Sequence, residues 1–356
     1  MFSEKEGELQ MENQDFGSFY EGKDILVTGG CGSIGTEIVR QLLHYRPRLV
    51  RVFDNNESGQ FHLQQKIGDD ERVRYLIGDI RNKRRLSLAL RGVDVVFHAA
   101  ALKHVPFCEY HPDETVLTNV IGTQNVVEAA REQGVGTFIG ISTDKVVNPI
   151  NTMGASKLLA EKLIINGSLG DYETKYHFKT KFSCVRFGNV LDSDGSVLPI
   201  FKRQIAKGGP ITLTHPHMTR FFMSINQAVN LVLKSGAITS GREIFILKMN
   251  KIKIKDLAHS FIQTMAPKHG FAPDQIRMSE IGIRPGEKLH ELLMSSEESI
   301  NMSETKDMIV IRPKFTSPTF TETNEFTDLK EYSSEEGPHL THPEIVEFLN
   351  DSGDIN

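Results

Sequence analysis

The sequence predicts an α/β protein whose main domain is a doubly wound parallel sheet and whose C-terminal part forms a smaller lobe. Short apolar runs, typical of buried strands, alternate with segments whose apolar residues recur at helical spacing. A glycine-rich turn follows the first apolar run. The length of 356 residues is sufficient for one large core and a second, smaller one.

Six strands are predicted before residue 190, with helical patterns between them. They are Lys23–Thr28, Leu49–Phe53, Val73–Ile77, Val93–His98, Thr137–Ile141 and Ser183–Phe187. The first helix includes Glu37–Leu43, and another begins near Gly154. Because strands and helices alternate, the strands are expected to run parallel.

The chain divides into four parts by its patterns. Residues 1–22 lack periodicity and are expected to form a loose polar arm, and residues 23–190 form the doubly wound domain. After residue 190 the alternation weakens, so 191–315 is assigned mainly to the smaller lobe. The last part, 316–356, is expected to be an exposed excursion followed by a helix at Pro343–Leu349.

Composition and charge exclude several classes of partner. The formal net charge of -5 provides no basic field, so we expect neither nucleic acid nor a membrane among the partners. Three cysteines lie far apart and no Cys/His metal spacing occurs, so we expect no disulfide and no metal. No stretch approaches the roughly 18 apolar residues of a membrane span, and the polar first residues do not resemble a signal peptide. We therefore expect a soluble, cytoplasmic protein.

The turn after the first strand has the glycine spacing of a dinucleotide site. Gly29, Gly32 and Gly35 follow a strand and open a helix, where glycine permits a tight turn and close approach of a pyrophosphate to backbone N–H groups. Ser33 and Ile34 lie in the same turn. Asp54 ends the second strand, where a carboxylate binds both ribose hydroxyls and repels a 2′-phosphate. The pattern favours NAD in a Rossmann-type domain; the alternative for Asp54 is a solvated loop aspartate.

Two further strand ends supply candidate cofactor contacts. Asp79 and Ile80 follow the third strand, where they can meet an adenine, although a plain turn is the alternative. Ala99, Ala100 and Ala101 follow the fourth strand. Their small side chains allow the backbone to pass close to a cofactor, or to pack tightly against a helix.

Four separated motifs carry a resemblance to a known family. They are His98-Ala-Ala-Ala-Leu-Lys-His-Val-Pro106, Ser142-Thr-Asp-Lys-Val-Val-Asn-Pro149, Arg186-Phe-Gly-Asn-Val190 and Arg284-Pro-Gly-Glu-Lys288. With the glycine turn, the chain resembles the extended short-chain dehydrogenases/reductases over roughly residues 22–350. The motifs are similar, in order and sequence, to those of the nucleoside-diphosphate-HexNAc 4,6-dehydratases of capsule, glycan and nonulosonic acid pathways.

The resemblance implies a reaction and a role for each residue of the second motif. NAD takes a hydride from C4 of the sugar, water is lost across C5 and C6, and the hydride returns to C6. By position, Thr143 would hydrogen-bond the C4 oxygen, Asp144 would protonate the C6 hydroxyl and Lys145 would remove the C5 proton. Lys145 is a base near neutral pH only if its pKa is depressed, which we expect from burial and from nearby Lys157. The alternative for Asp144 and Lys145 is a solvated ion pair at a strand end.

The third catalytic position departs from most relatives. They have Tyr-x-x-x-Lys, whereas this chain has Met153-Gly-Ala-Ser-Lys157, and a thioether has no ionisable proton. Lys157 is still expected to hold the nicotinamide ribose. In one interpretation the chain resembles a methionine-bearing subgroup that moves the C4 proton through Thr143 and Asp144 or an ordered water. In the other, the replacement of tyrosine by Met153 has impaired the site, and the protein binds nucleotide without turnover.

The resemblance also implies contacts with the sugar nucleotide. The expected residues are Lys103, His104, Asn189, Val197, Thr212, Arg220, Arg284 and Glu287. Arginine forks suit a diphosphate, a carboxylate suits a ribose diol, and an edge strand at 210–214 suits a pyrimidine. Asn119 is expected to orient the active-site loop by backbone hydrogen bonds. For His104 a structural role is the alternative, and for either arginine a surface charge.

We therefore expect an NAD-dependent dehydratase that converts UDP-N-acetylglucosamine to a UDP-4-keto-6-deoxy sugar with retention at C5. A UDP-sugar 4-epimerase and a non-catalytic nucleotide-binding module stay open as alternatives. Helices near residues 115–133 and 154–166 are candidates for a dimer face, so a homo-oligomer of two or more subunits is expected.

Overall fold

The structure, a computed structural model, describes residues 16–167, 180–191, 196–312 and 330–352. Its main feature is a nine-stranded, mostly parallel sheet, which confirms the predicted doubly wound α/β fold. From one edge to the other the strands are β14 (Met302–Glu304), β15 (Met308–Ile311), β10 (Ile244–Leu247), β6 (Lys181–Arg186), β5 (Thr137–Ile141), β4 (Val95–His98), β1 (Asp24–Thr28), β2 (Leu49–Asp54) and β3 (Val73–Ile77).

Strands β1 to β6 and β10 run parallel, and β15 pairs antiparallel with β10. The order reverses between β1 and β4, the point at which a doubly wound sheet binds its ligand beyond the carboxyl ends of the strands. All five residues of β1 are buried, because helices cover both faces of such a sheet, and this explains the apolar run Ile25–Val27 at its centre. The predicted strand limits differ from the observed ones by at most two residues.

The described α-helices are α1 (Ser33–His44), α2 (Glu57–Ile67), α3 (Lys83–Ala89), α4 (Val105–Tyr110), α5 (Pro112–Thr115), α6 (Thr123–Glu132), α7 (Thr152–Ile165), α8 (Val197–Ile205), α9 (Ile225–Ile238), α10 (Ile254–Met265), α11 (Ser296–Ser299) and α12 (His342–Asp351). A π-helix, Val116–Gly122, precedes α6. Helix α7 begins at Asn151, whose side-chain oxygen accepts a hydrogen bond from the backbone N–H of Gly154. This cap fixes where the helix that carries Met153 and Lys157 starts.

The smaller lobe has its own core but is not one continuous stretch of chain. It contains the three-stranded sheet β11 (Asn250–Lys253), β9 (Thr219–Met223) and β7 (Asn189–Val190), and the pair β12 (Met278–Glu280) and β8 (Ile211–Leu213). Strands β10, β14 and β15 belong to the main sheet, so the part of the chain assigned mainly to the lobe contributes to both cores. Helix α12 packs into the core of the lobe through Ile345, Phe348 and Leu349, and is not a separate excursion. Residues 316–329 of that expected excursion lie outside the described residues.

The end of the expected N-terminal arm is part of the main domain. Phe16–Tyr20 forms a 3₁₀-helix, and the Tyr20 side chain is completely buried. Its hydroxyl donates a hydrogen bond of 2.5 Å to the carbonyl oxygen of Leu233 in α9, and its ring contacts Phe97 of β4. Phe16, Phe19 and Tyr20 thus pack against the core of the main domain, although the sequence around them shows no periodicity. The rest of the arm, 1–15, lies outside the described residues.

We expect Tyr20→Phe to lower the free energy of unfolding by about 1 kcal/mol, because it removes one buried hydrogen bond and keeps the ring. Urea unfolding followed by circular dichroism measures this change. Tyr110→Phe is the matched control, since Tyr110 is 81% exposed and its hydroxyl can bond to water. Equal stability of the two variants would mean that residues 16–20 are not docked on α9.

Candidate active site

The candidate site lies at the carboxyl ends of the parallel strands, where the expected functional segments converge. Gly29 follows β1, Asp54 ends β2, Ala99 follows β4 and Ser142 follows β5. Parallel strands end at one edge of the sheet, so loops far apart in sequence come together there. The geometry at each strand end decides which residues are available to a ligand.

The glycine turn has the conformation and the close contacts that its spacing predicts. Gly29 has a φ of +66°, and a Cβ at this position would lie 2.6 Å from the backbone nitrogen of Ala100. A Cβ on Gly35 would lie 2.2 Å from the carbonyl oxygen of Gly29. Gly32, by contrast, is exposed, and its Cβ would meet only that same oxygen at 3.4 Å. Gly29 and Gly35 are therefore required by the turn itself, whereas Gly32 leaves space on the solvent side.

The acidic residues after β2 and β3 are in place but partly engaged. Asp54 is half-buried and accepts hydrogen bonds from the backbone N–H groups of Cys31, at 3.0 Å, and Asn56, at 2.9 Å. It thereby ties the end of β2 to the glycine turn. The Asp79 carboxylate forms an ion pair with Arg81 at 2.7 Å, and this arginine lowers the pKa of Asp79. Ile80 is buried against Gly122 of the π-helix, so its side chain takes part in the packing that supports the site.

The Thr143–Lys145 segment forms the centre of the site. The Asp144 side chain is fully buried, and its Oδ1 lies 2.8 Å from both the Thr143 hydroxyl and Lys145 Nζ. Asp144 Oδ2 is buried and accepts no hydrogen bond from a described residue. The pair is therefore a buried contact and not the solvated ion pair that was the alternative.

The electrostatics of Lys145 differ from the expectation. Burial alone lowers the pKa of Lys145, but attraction from Asp144 and Glu291 outweighs burial and raises the pKa. The opposing cation beside it is Arg220, not Lys157 as expected. The expected depression of the lysine pKa is thus wrong, because two carboxylates face the ammonium group. Lys145 can act as a base only when the negative charge of the carboxylates around it decreases.

Helix α7 carries Met153 and Lys157 one turn apart, beside the end of β5. Met153 is 3% exposed, in agreement with an apolar side chain that has no ionisable proton. Lys157 Nζ donates a hydrogen bond of 2.6 Å to the carbonyl oxygen of Ile141, the last residue of β5. Burial lowers the pKa of Lys157. Its charge also contributes, after burial, to a low pKa of about 3 for His98 at the end of β4.

A buried ion network that the sequence did not predict supports this helix. The Arg186 guanidinium, at the end of β6, contacts Glu161 of α7 at 2.6 Å and Glu298 of α11 at 2.7 Å. Glu161 also accepts a hydrogen bond of 2.7 Å from Ser142. Arg186 thus connects β6, the catalytic helix and the C-terminal part of the chain. Its charge is compensated on both sides, as a buried arginine requires.

The loop after β4 is held by Asn119, as expected. The Asn119 side chain exchanges hydrogen bonds with the backbone N–H and carbonyl of Leu102, at 2.8 and 3.0 Å, and contacts Ser156 of α7. Asn119 lies in the π-helix, a deviation that is frequent at functional sites. Lys103 and His104 follow Leu102 and are exposed. Their availability to a ligand therefore depends on a loop that Asn119 fixes.

The loop around the Arg284–Lys288 motif covers the start of α7. Asn151 donates a hydrogen bond of 2.7 Å to the carbonyl oxygen of Gly286, and Lys288 Nζ donates to the carbonyl oxygen of Val147 at 2.5 Å. Arg284 is exposed and pairs only loosely with Glu287, at 3.8 Å. The motif thus anchors the lobe to the catalytic segment through its glycine and lysine, while Arg284 and Glu287 lie at its surface.

Two expected substrate residues have other partners. Strand β8 is an edge strand, as expected, because it pairs with β12 alone in a two-stranded sheet. The Thr212 N–H on this strand donates to the side chain of Gln204 at 3.1 Å. Arg220 is buried and donates to the backbone carbonyls of Thr219, Leu289 and Lys288. Arg220 thus braces this loop, and its expected contact with a diphosphate stays a prediction.

The remaining substrate candidates lie where the lobe meets the main sheet. Asn189 is a half-buried residue of β7, just after β6, and Val197 is the first residue of α8. Residues 192–195, between them, are outside the described part of the chain. Lys288 and Glu291 were not among the residues predicted for the site. Their charges, close in sequence to the Arg-Pro-Gly motif, are a signal that could have identified them.

Neither metal binding nor a membrane span has a structural basis in the described residues. Within the described ranges, no group of three or more His, Cys, Asp or Glu side chains is arranged to hold a metal ion. Among the helices that the structure describes, none has the length and apolar character needed to cross a membrane.

The glycine turn, the strand-end acids and the Thr-Asp-Lys centre define a class of protein, the extended short-chain dehydrogenases/reductases. The chain belongs to the polysaccharide biosynthesis protein family, which it matches over residues 25–313. This membership confirms the family resemblance.

Similar proteins come from several organisms. "Uncharacterized membrane protein MJ1061" of Methanocaldococcus jannaschii is 57% identical over 84% of this chain and 89% of its own. A UDP-N-acetylglucosamine 4,6-dehydratase (inverting) of Campylobacter jejuni is 42% identical over 83% of this chain and 84% of its own. A UDP-glucose 4-epimerase of Rickettsia bellii is 38% identical over 80% of this chain and 81% of its own.

Solved structures share the fold over most of the chain. The X-ray structure of Pen from Bacillus thuringiensis has a TM-score of 0.87 and 39% identity, covering 95% of this chain and 100% of that one. DesIV, a dTDP-glucose 4,6-dehydratase from Streptomyces venezuelae with NAD and TYD bound, has a TM-score of 0.65 and 25% identity, covering 75% and 86%. Related chains thus combine this fold with a bound NAD.

We expect the stability of Lys157→Met, relative to the wild type, to be more favourable at about pH 7 than at about pH 10. The folded-state pKa of Lys157 is lowered, so its charge destabilises the folded protein at neutral pH, and this cost shrinks as the pH rises from that pKa towards the ordinary lysine pKa of 10.5. Loss of the bond to Ile141 costs about 1 kcal/mol at both pH values. Urea unfolding of both proteins without nucleotide measures the difference.

Lys202→Met, which changes an exposed lysine of α8, is the control for the pH change itself. A Lys157→Met effect that does not vary with pH more than the Lys202→Met effect would contradict burial of the charged form.

Proposed function

We propose that the chain is an NAD-dependent UDP-N-acetylglucosamine 4,6-dehydratase that makes the UDP-4-keto-6-deoxy sugar and retains the configuration at C5. One observation carries the proposal: a buried carboxylate lies 2.8 Å from both a hydroxyl and an ammonium group at the end of β5. Dehydration across C5 and C6 needs an acid and a base close together. The identity of 42% to the Campylobacter dehydratase supports the choice of substrate.

The residues at the strand ends fit an NAD molecule. Gly32 is exposed at the start of α1, where a pyrophosphate would meet backbone N–H groups, and a Cβ there would occupy that space. Asp54 is half-buried at the end of β2, where it would accept the ribose hydroxyls. Lys157 would hold the nicotinamide ribose, and Ser33, Ile34, Asp79 and Ala99 to Ala101 line the same edge. NAD supplies hydride acceptance from C4 and hydride return to C6.

Asp144 and Lys145 supply the acid and the base by sharing one proton. Loss of a proton from Lys145 Nζ and gain of a proton by Asp144 Oδ1, which are hydrogen-bonded at 2.8 Å, convert the ion pair into a neutral amine and a carboxylic acid. The amine removes the proton from C5, and the carboxylic acid protonates the C6 hydroxyl as water leaves. The pair then returns to its ionic form. This exchange avoids any requirement for a depressed lysine pKa in the resting protein.

The proton of the C4 hydroxyl has a path that does not involve position 153. The Thr143 hydroxyl donates to Asp144 Oδ1 at 2.8 Å, so a C4 hydroxyl bonded to Thr143 would be connected to the carboxylate. Met153 is buried and carries no proton, which makes this route the replacement for a tyrosine. Retention at C5 is proposed because the segment Met153–Lys157 resembles a methionine-bearing subgroup of retaining enzymes; the Campylobacter relative, in contrast, is named an inverting enzyme.

The sugar nucleotide is proposed to lie between the loop after β4 and the lobe. Lys103 and His104 would contact the sugar and phosphates from one side, and Asn189 and Val197 from the other. Arg284 and Glu287, at the surface of their loop, would contact phosphate and ribose. Each group lies on a segment that a described hydrogen bond or helix start holds in position.

A homo-oligomer in the cytoplasm is part of the proposal. Exposed apolar side chains gather on one side of the main domain, including Phe107 (69%), Tyr110 (81%) and Leu159 (54%). Together with Val116, Leu117 and Ile121 they form an apolar face on α4, the π-helix and α7. A second copy of the chain would cover this face. The three cysteines are free thiols, as a reducing compartment favours.

We expect Gly32→Ala to weaken NAD binding at least about tenfold while the free energy of unfolding changes by about 1 kcal/mol or less. The new methyl group has room in the ligand-free protein but occupies the space of the pyrophosphate. Isothermal titration calorimetry with NAD measures the affinity. Gly136→Ala, a glycine with a similar contact just before β5, is the control. Equal NAD affinity of the two variants would remove Gly32 from the site.

We expect wild-type protein with UDP-N-acetylglucosamine in deuterated water to yield a product that has lost one water and carries deuterium at C5. Asp144→Asn and Lys145→Met should each lower the rate at least about 10²-fold, and the double variant should be little slower than either, because the two groups share one proton. Mass spectrometry measures the product, and proton NMR measures its configuration at C5.

The alternatives predict other products in the same experiment. A 4-hydroxy epimer without loss of water would identify an epimerase, the activity named for the Rickettsia relative. Unchanged substrate together with NAD and UDP binding would identify a non-catalytic binding module.

A further inference from the structure

Glu291 is a buried glutamate beside the catalytic pair, immediately before β13 (Leu292–Met294). Its Oε1 lies 4.0 Å from Lys145 Nζ and 3.8 Å from Arg220 Nε. Its Oε2 is buried and accepts no hydrogen bond from a described residue. Among the residues that the structure describes, Asp144 and Glu291 are the carboxylates within 4.0 Å of the Lys145 ammonium. Lys145 therefore lies between two acids.

The charges around Glu291 favour uptake of a proton. Burial, and then the negative charge of Asp144, raise the pKa of Glu291, while Lys145, Arg220 and Lys288 oppose this. Arg220 donates its hydrogen bonds to backbone carbonyls, and Lys288 donates to Val147, so neither neutralises Glu291 by direct hydrogen bonding. The backbone of Glu291 is fixed by two hydrogen bonds with Ser334, at 2.8 and 2.9 Å.

The proton count of the dehydration proposed above, on which this assignment rests, requires a third site. Asp144 and Lys145 hold one proton in the resting ion pair and again one proton when Lys145 is a neutral base and Asp144 an acid. The proton released from the C4 hydroxyl must therefore reside on another group until water has left. Met153 cannot take it, because a thioether does not ionise.

We propose that Glu291 holds this additional proton and acts as the positioning residue of Lys145 during removal of the C5 hydrogen. The C4 proton passes through Thr143 to Asp144, and the Lys145 ammonium gives its proton to Glu291 through one water molecule that bridges the 4.0 Å between Nζ and Oε1. Lys145 then takes the C5 proton while Asp144 gives its proton to the C6 hydroxyl, which leaves as water. Lys145 returns a proton to C5 as hydride reaches C6, and Glu291 returns its proton to Lys145. All bonds and protons balance without another reactant.

The test separates oxidation from elimination. In Glu291→Gln, oxidation at C4 should still occur, because Thr143 and Asp144 are intact, but Lys145 should stay protonated. We expect dehydration to fall at least about 10²-fold, with reduced cofactor accumulating at 340 nm, a 4-keto sugar that keeps its C6 hydroxyl, and no deuterium at C5. Glu291→Asp should restore part of the elimination. Glu243→Gln, a buried glutamate bonded to Ser183 and Thr239, should behave as wild type.

Two results would overturn the assignment: dehydration by Glu291→Gln at the wild-type rate, or equal loss of oxidation and elimination, which a merely structural role predicts. A second measurement does not depend on turnover. Competitive acetylation of Lys145, read by mass spectrometry across pH, should show half-maximal reaction at lower pH in Glu291→Gln than in wild type. An unchanged midpoint would also overturn the assignment. Wild-type protein that does not dehydrate the substrate, but shows the shifted midpoint, would instead contradict the proposed function alone.

Discussion

The buried contact between Asp144 and Lys145 is the interaction on which the rest of the site depends. A carboxylate without solvent is tolerated only when charges and donors surround it, and here Thr143 and Lys145 both bond to the same oxygen. The structure around the contact serves this requirement. Strand β5 brings the residues to the edge of the sheet, and the backbone N–H of Asp144 bonds to the carbonyl of Phe187, which follows β6. The pair is therefore held by the sheet itself.

A second buried charge network holds the helix beside the pair. Arg186 bonds to Glu161 of α7 and Glu298 of α11, and Glu161 bonds to Ser142, which directly precedes Thr143. An error in the position of α7 would move Met153 and Lys157 and leave an uncompensated charge in the interior. The placement of α7 therefore depends on the folding of the C-terminal part that carries Glu298. The lobe adds Lys288 and Glu291 to the other side of the same pair.

The absence of a tyrosine at position 153 has consequences for charge as well as for proton transfer. Met153 is packed in the interior and leaves Lys157 with a backbone carbonyl, and no phenol, as its hydrogen-bond partner. The charged side chains of Asp144, Lys145, Glu291 and Arg220 face one another at the end of β5. In such a cluster the pKa values belong to the interacting groups together and not to single residues. A tyrosine-free site is in this way compatible with an ordered sequence of proton transfers.

The sequence by itself determined the fold class, the strand positions and the convergence of Gly29, Asp54 and Thr143 at one edge, because local periodicity and glycine spacing are properties of neighbouring residues. It did not reveal the docking of Tyr20, the return of β10 and β15 to the main sheet, or the partners of Thr212 and Arg220. It also predicted the wrong direction for the pKa of Lys145. Most of these features depend on contacts between residues distant in sequence: Tyr20 and Leu233 are 213 positions apart, and Arg220 and Leu289 are 69. The pKa of Lys145 depends in the same way on Glu291. Burial and pairwise charge set them, and only the tertiary structure decides which groups meet.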